Sequence, residues 1–424
     1  MNAKGGKMSD FLKTITKERP TGTPNNESVN LFLENEFKRA GFQVQSLPFE
    51  CTVWETKKSI FKIGDADFDI EASPFSTSFD GSTKTIVIDS LDKLKKADCS
   101  GKIIILCGEL TKNQLQPKDF PFYYPDEDKE IISLLEEKKP CAIIAATGKN
   151  PMCDLNPFPL FEDGNFMIPS AYLSDAVLPQ IEKLVRQNPE AVLKIDSEKK
   201  KVNSRQLVAG KKAENAEKTK NTENAAGKMN GKMTGKIIVC AHMDSKYGTA
   251  GALDNAAGVA VLYQTALKLN GKIETGNEKL LFDIDFVPFN GEEYYEASGE
   301  MKYLEYLENN DDRVKLVINI DAPSYVHSET EISSYNLDEK VESMLVKIIS
   351  KYETISKGQE WFAGDHAAFA FQGVPCLAVT SSNMEKWLEL THTTKDTLEN
   401  VDLELIETAS DFLVELICSV QKLI

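Results

Sequence analysis

Long apolar runs are missing from this 424-residue chain. None approaches the roughly 18 consecutive residues that span a bilayer, which argues against a helical membrane protein. The opening stretch, MNAKGGKMSDFLKTITKERP, has no apolar segment of leader length, and a cytoplasmic location is the expectation. Basic residues are in deficit: 49 Lys and Arg stand against 66 Asp and Glu, for a formal net charge of −17. Binding to nucleic acid needs a cationic face that displaces counterions from phosphates, so neither nucleic acid nor an anionic membrane surface is an expected partner. C-x-x-C pairs are absent as well. The eight cysteines (Cys51, Cys99, Cys107, Cys141, Cys153, Cys240, Cys376 and Cys418) are scattered, several within apolar runs such as CGKIIILCGEL and IIVCAHMD, and read as reduced core residues. Histidine is the scarcest chemically versatile residue, with only four in the chain.

What is present is ordinary for a soluble globular protein: 41% hydrophobic and 27% charged residues. At roughly 100–200 residues per domain, the length predicts two or three domains, or one large domain carrying an insertion. ESVNLFLENEFKRAG (27–41) has helical spacing and stops at Gly41, and FQVQSLPFECTVWE then alternates as a strand does. Between about 55 and 200, the short apolar runs KTIVIDS, GKIIILCG and CAIIAATG read as strands buried on both faces, with the helical DEDKEIISLLEEKKP between the last two. That segment is long enough for a small α/β domain inserted between residues 1–54 and 201–424. Residues 209–235 repeat Lys, Glu, Asn and Gly with few apolar side chains and read as a mobile loop. Beyond it the chain alternates again, through KIIVCAHMD, NAAGVAVLYQTALKL, KLLFDIDFVPF, VKLVINID and VPCLAVTSS. The last helical segment carries Leu405, Ile406, Ala409, Phe412, Leu413, Leu416, Ile417 and Val420 on one stripe. The fold class is α/β, with a parallel or mixed sheet.

Acidic and histidine residues collect where these apolar strands end, the edge at which open α/β sheets bind ligands. His242 and Asp244 close IIVCAHMD, Asp254 precedes a helix, Glu292 and Glu293 follow FVPFNG, Asp321 closes VINID, and His392 lies in LELTHTTKDT. Singly, each has a plain structural reading: a helix cap, a solvated turn, a satisfied histidine. Together, carboxylates crowded at one edge repel one another unless cations sit among them. Two histidines and three carboxylates without a thiolate suit zinc-like divalent ions. One carboxylate could bridge two ions about 3.5–4 Å apart, each also held by one histidine and one terminal carboxylate. Asp244, two residues from His242 along a strand, faces the same way and would accept a hydrogen bond from the other imidazole nitrogen or lie just behind it. Glu292 is left free to take a proton from an ion-activated water and return it to a leaving amine. The chemistry that emerges is metal-assisted hydrolysis of an amide or a similar acyl bond.

These motifs (His242-Met-Asp244, GALDNAAGVAVL with Asp254, NGEE with Glu292-Glu293, NID ending at Asp321, GDHAAFAFQGVP, and THTTKDT with His392) resemble, in order, those of the zinc aminopeptidases of the M28 (aminopeptidase Y/S) family. The resemblance implies a three-layer zinc-exopeptidase-like mixed sheet with helices on both faces. It also implies two Zn2+ per chain, with Co2+ or Mn2+ as possible substitutes, and peptide substrates cut from the amino end. By that resemblance His242 and Asp321 hold one zinc, Glu293 and His392 the other, and Asp254 bridges. Glu292 is then the general base and Asp244 the carboxylate behind the ligands. His366 matches a family position near the site with a supporting role, and Trp361 is a candidate for the substrate pocket or for the core. Several family members place a tyrosine near the last histidine; here Thr391 precedes His392, and no equivalent donor is identified. Residues 55–200, with GKIIILCG, CAIIAATG and MIPSAYLS, resemble a protease-associated (PA) domain. Two other readings stay open: a single-zinc acyltransferase like the glutaminyl cyclases, suggested by HMDSKY, and a non-catalytic scaffold of the same fold. A homo-oligomer is also compatible with the sequence.

Overall fold

The structure is a computed structural model that describes residues 3–118, 120–213, 235–310 and 312–424. Two compact units emerge. The first comprises Met1–Phe49, Asn203–Glu293 and Ala297–Ile424, and the second Glu50–Val202 with Tyr294–Glu296.

The first unit is built on an eight-stranded sheet, in the spatial order Gln43–Thr56, Ser197–Lys211, Asp283–Phe289, Gly235–His242, Arg313–Ile320, Cys376–Ser381, Thr330–Tyr335, Ile355–Lys357. Its centre is parallel: His242 lies opposite Phe289, Cys240 opposite Asn319, and Ile320 opposite Val379, so three apolar strands end at one edge. Parallel strands buried on both faces account for their near-continuous apolar sequences.

The period of two sorts the faces. Ile237, Val239, Ala241, Ile284, Phe286, Leu316, Ile318 and Ile320 join the main core with Phe37, Leu262, Phe412 and Leu413 from the helices Pro24–Arg39, Gly258–Glu274 and Leu403–Val420. The intervening residues face the other way. Asp285 and Phe289 meet Tyr303 of helix Ser298–Asn309, and Asn319 meets Cys240 and His366. The sheet therefore carries helices on both faces, as the α/β reading and its resemblance imply. All eight stripe residues of the last helix are buried. No helix of the described residues is long and apolar enough to cross a membrane.

The mobile-loop reading of 209–235 is corrected at its ends. Ala209, Gly210 and Lys211 finish a strand and lie opposite Phe286, Asp285 and Ile284, while Gly235 opens the next strand. Backbone pairing and the burial of Leu207 and Ala209 outweigh the polar composition there. Residues 214–234 lie outside the described residues.

The second unit has its own sheet, with a parallel centre of Phe79–Ile88, Ile103–Leu106, Ala142–Thr147 and Ser170–Ser174. Ile132 and Leu135 of helix Asp126–Lys138 pack on Ile104, Leu106 and Ile143 in a separate core. Tyr294, Tyr295 and Glu296 group with this unit, a detail that sequence order does not show. The rings of Tyr294 and Tyr295 meet that of Phe75 edge-on at 5.3 and 4.9 Å, and Glu296 pairs with Lys201 at 3.1 Å.

Candidate metal centre

The parallel register carries the site. Because Cys240 pairs with Asn319, the next same-face positions are His242 and Asp321, and both emerge at the same strand edge. The chain continues past Phe289 through Asn290 and Gly291, the latter at φ +125°, to place Glu292 and Glu293 beside them. Asp254 reaches the cluster from a turn preceding helix Gly258–Glu274. That turn needs glycine at two points. Gly251 has φ +57°, and a Cβ there would stand 2.5 Å from the Asp254 carbonyl oxygen; one on Gly258 would lie 2.0 Å from Asn255 Oδ1. Asn255 locks the turn to the strand edge, donating to the Ile320 carbonyl at 2.8 Å and accepting from the Gly258 and Ala322 amides at 3.0 and 3.3 Å. His392 enters from the loop after the last strand of the sheet, with φ +60°.

Three overlapping groups of donor atoms result: His242, Asp254 and Asp321; Asp254, Glu293 and His392; and His242, Glu292 and Glu293, each group within 4.8 Å. The two oxygens of Asp254 divide between the histidines. Oδ1 lies 3.0 Å from His242 Nε2, and Oδ2 lies 3.2 Å from His392 Nε2. Asp321 Oδ1 stands 3.8 Å from His242 Nε2, and Glu293 Oε2 3.2 Å from His392 Nε2. Glu292 Oε2 is 4.0 Å from His242 Nε2, and its side chain keeps 24% exposure where that of Glu293 has 3%.

Burial and like charge dominate the electrostatics. Burial pushes Glu292 well above the usual carboxylate range, with His242 opposing and Glu293, Asp365 and Asp321 adding to it. Asp321 is also raised, by burial first. For Asp254, burial is outweighed by the hydrogen bonds with His242 and His392, which hold it well below that range. His242 is raised, since Glu292, Asp254 and Asp321 outweigh its burial. So many carboxylates facing two imidazoles fit divalent cations: the donors are hard oxygens and borderline nitrogens, they fall into two sets sharing Asp254, and the buried Glu293 Oε1 has no hydrogen-bond partner among the described residues.

Asp244 lies beside the imidazole of His242 without bonding to it. It is fully buried but 3.8 Å from His242 Nδ1, beyond hydrogen-bond range, and that nitrogen has no hydrogen-bond partner among the described residues. Its carboxylate instead accepts the amides of Gly291, Glu292 and Glu293 at 3.0, 3.3 and 3.2 Å and the Thr21 hydroxyl at 3.1 Å. It therefore holds the backbone of the glutamate doublet. A turn with three inward-pointing amides is a stronger attractor for a buried carboxylate than one imidazole N–H.

His366 and Trp361 lie together, ring centroids 4.9 Å apart, and join none of the three donor groups. His366 is fully buried, with Nδ1 3.3 Å from Asn319 Nδ2 and Nε2 2.8 Å from the Trp361 carbonyl oxygen. Burial lowers its pKa to about 4 against a partial offset from the Trp361 carbonyl. The unfolded chain takes up this proton near pH 6.5, whereas the folded chain resists until about pH 4. We predict that folding stability, measured by denaturant titration, falls as pH drops through that window, by about 3 kcal/mol from this group. His366→Phe should flatten that segment of the stability curve; an unchanged slope would refute the assignment. His327 is exposed.

Asp396 is a site residue that sequence reading passed over. It lies four residues after His392, within the quoted THTTKDT run, and accepts the amides of Leu253 and Asp254 at 2.7 and 3.1 Å. Burial, with Asp254 adding to it, pushes its carboxyl up to about 7. Glu300 and Asp365 were also missed. They are 5% and 2% exposed, and burial raises both, Glu300 to about 8.

With this geometry described, comparison with known proteins places the chain. Residues 224–417 match Peptidase family M28. In three dimensions the chain is similar to an aminopeptidase from Aneurinibacillus sp. strain AM-1, at 20% identity and a TM-score of 0.72 over 97% of this chain and 93% of that one. It is similar to BSAP, a zinc aminopeptidase from Bacillus subtilis, at 18% identity and a TM-score of 0.69 over 97% and 94%. A peptidase M28 precursor from Shewanella amazonensis SB2B aligns at 16% identity with a TM-score of 0.66 over 99% and 93%. No curated protein matches the chain by sequence. At such identities the likeness to solved structures is one of fold, and the family match adds the motifs that supply the donor groups. The match to Peptidase family M28 spans residues 224–417, the part of the chain that carries all three donor groups.

Proposed function

We propose that this peptidase is a dinuclear zinc exopeptidase that releases residues from the amino end of peptides. The observation that carries the reading is the division of Asp254 between the two histidines, Oδ1 toward His242 and Oδ2 toward His392. One carboxylate is thereby shared by two complete donor sets, His242 with Asp321 and His392 with Glu293. When bound, zinc would polarise the scissile carbonyl and make water nucleophilic at neutral pH. The aminopeptidases among the similar structures support the choice of the amino end.

Glu292 performs the proton work in this reading. Among the carboxylates of the cluster its side chain is the most exposed, at 24% against 11% for Asp254, 12% for Asp321 and 3% for Glu293, and its raised pKa suits a group that takes a proton and gives it back. The attacking water passes its proton to the Glu292 carboxylate, which returns it to the leaving amine. Asp244 holds Glu292 at its station through the backbone amides on both sides of that transfer. The acidic character of the centre suits the free α-amino group of a substrate. The second unit is read as a protease-associated insert, and the eight free thiols suit a reducing cytoplasm.

Metal analysis of the purified protein should find two zinc ions per chain, and a panel of peptides with free and acetylated amino ends should show cleavage of the free ones alone. Equal cleavage of both would overturn the exopeptidase assignment. One ion per chain with pyroglutamyl product would point to a cyclase instead.

A further inference from the structure

Arg19 is among the largest fully buried side chains of the described residues, at 1% exposure, and neither the chemistry above nor the motifs account for it. Its guanidinium donates to four carbonyl oxygens. Nε reaches Met243 at 2.5 Å, Nη1 reaches Ala250 at 2.7 Å and Lys17 at 3.1 Å, and Nη2 reaches Gly251 at 3.0 Å. Its own amide donates to Ser245 Oγ at 3.0 Å. Met243 follows His242 directly, and Gly251 stands three residues before Asp254. The planar fork therefore grips both ends of the 243–251 loop at once, from a segment more than 200 residues away in sequence.

The geometry points to Arg19 as a positioning residue that sets the separation of His242 from Asp254, and with it the affinity of the centre for its ions. The argument rests on the metal-centre reading above. A buried guanidinium is costly to desolvate and is retained only where its donors are satisfied. Here four of its five N–H donors are spent, three on carbonyls of one short loop and one on the Lys17 carbonyl of its own segment. Two further contacts extend the same clamp: Thr21 Oγ1 donates to Asp244 Oδ2 at 3.1 Å, and Asn26 Nδ2 donates to the Arg19 carbonyl at 3.2 Å. On the opposite side of the turn Asp396 holds the Leu253 and Asp254 amides. The bridging carboxylate is thus carried on a turn pinned from two sides, one of them the N-terminal segment. Lysine keeps the charge but offers its donors from one point and cannot hold both ends of the loop.

The test uses the full chain with Arg19→Met and Arg19→Lys, and zinc itself as the probe. Zinc affinity is measured by competition with a chelating indicator, alongside kcat and KM on an aminoacyl-anilide and melting of the metal-free proteins. We expect Arg19→Met to weaken zinc binding by about 10–100-fold, as loss of a group orienting metal ligands does. We expect kcat to fall with KM little changed, and Arg19→Lys to restore melting without restoring zinc affinity. Wild-type affinity and kcat in Arg19→Met would overturn the proposal. So would a lowered melting temperature with both constants intact in the folded fraction, which would mark Arg19 as structural only, and so would full recovery by lysine, which would assign the effect to charge. A wild-type protein that takes up no zinc would instead overturn the metal-centre reading, a result visible without either variant.

Discussion

Glu292→Gln is expected to lower turnover of aminoacyl-anilides by about 10²–10⁴-fold, the range a positioned general acid–base contributes, while zinc content stays at the wild-type level. Glutamine has nearly the same shape, and its backbone amide still donates to Asp244, so the doublet keeps its place. What is lost is a carboxylate that can accept a proton and surrender it. Glu292 is the carboxylate of the cluster with the exposure such an exchange requires, its side chain 24% open against 3% for Glu293. Because the substitution leaves His242, Asp254, Asp321, Glu293 and His392 untouched, a fall in kcat with metal retained isolates the proton-transfer role. Turnover within a few-fold of wild type would remove Glu292 from that role. Loss of metal in step with activity would make it a ligand instead.

Asp254→Asn should have the other large effect, this time on the ions themselves. An asparagine presents one carbonyl oxygen where the aspartate presents two, and it carries no charge. Only one of the two histidines can then share an oxygen with it, whereas both do so now, at 3.0 and 3.2 Å. We predict that zinc content falls from the proposed two ions to one or none after dialysis, and that the remaining affinity drops by at least the roughly 10–100-fold typical of losing a mere orienting partner. The Leu253 and residue-254 amides still meet Asp396, so the turn itself should survive, and cooperative melting of the metal-free variant would show that it does. Two tightly held ions with wild-type turnover would sink the bridging assignment. The two substitutions separate cleanly: one removes chemistry and spares the ions, the other removes the ions.

The donor groups were legible in the sequence for a specific physical reason. In a parallel sheet, apolar strands end together, so a polar residue that terminates such a run is placed at a common edge by register alone. His242 after IIVCA and Asp321 after VINI are read directly from that rule, and Glu292-Glu293 after FVPF nearly so. Asp254 and His392 sit on loops, where alternation says nothing, and were reached through their motifs. Asp244 shows the limit of the same rule. Alternation predicts its face correctly, yet its partner was decided by the three amides of the Gly291 turn, a neighbour that no local pattern announces. The ends of 209–235 show it from the other side, since Ala209–Lys211 became strand through pairing with Ile284–Phe286 despite a composition typical of loops.

The amino-acid order alone therefore determined the α/β class, the apolar strands, the stripe of the final helix and the residue types gathered at one edge, because each follows from periodicity and burial within a short window. Tertiary structure decided which oxygen of Asp254 faces which histidine, which carboxylate of the cluster keeps the most exposure, and which distant groups hold the turns in place. Arg19 gripping Met243 and Gly251, and Tyr294–Glu296 grouping with the second unit, belong to that second class. Contacts between residues hundreds of positions apart depend on how finished elements meet, and nothing in either segment by itself encodes the meeting.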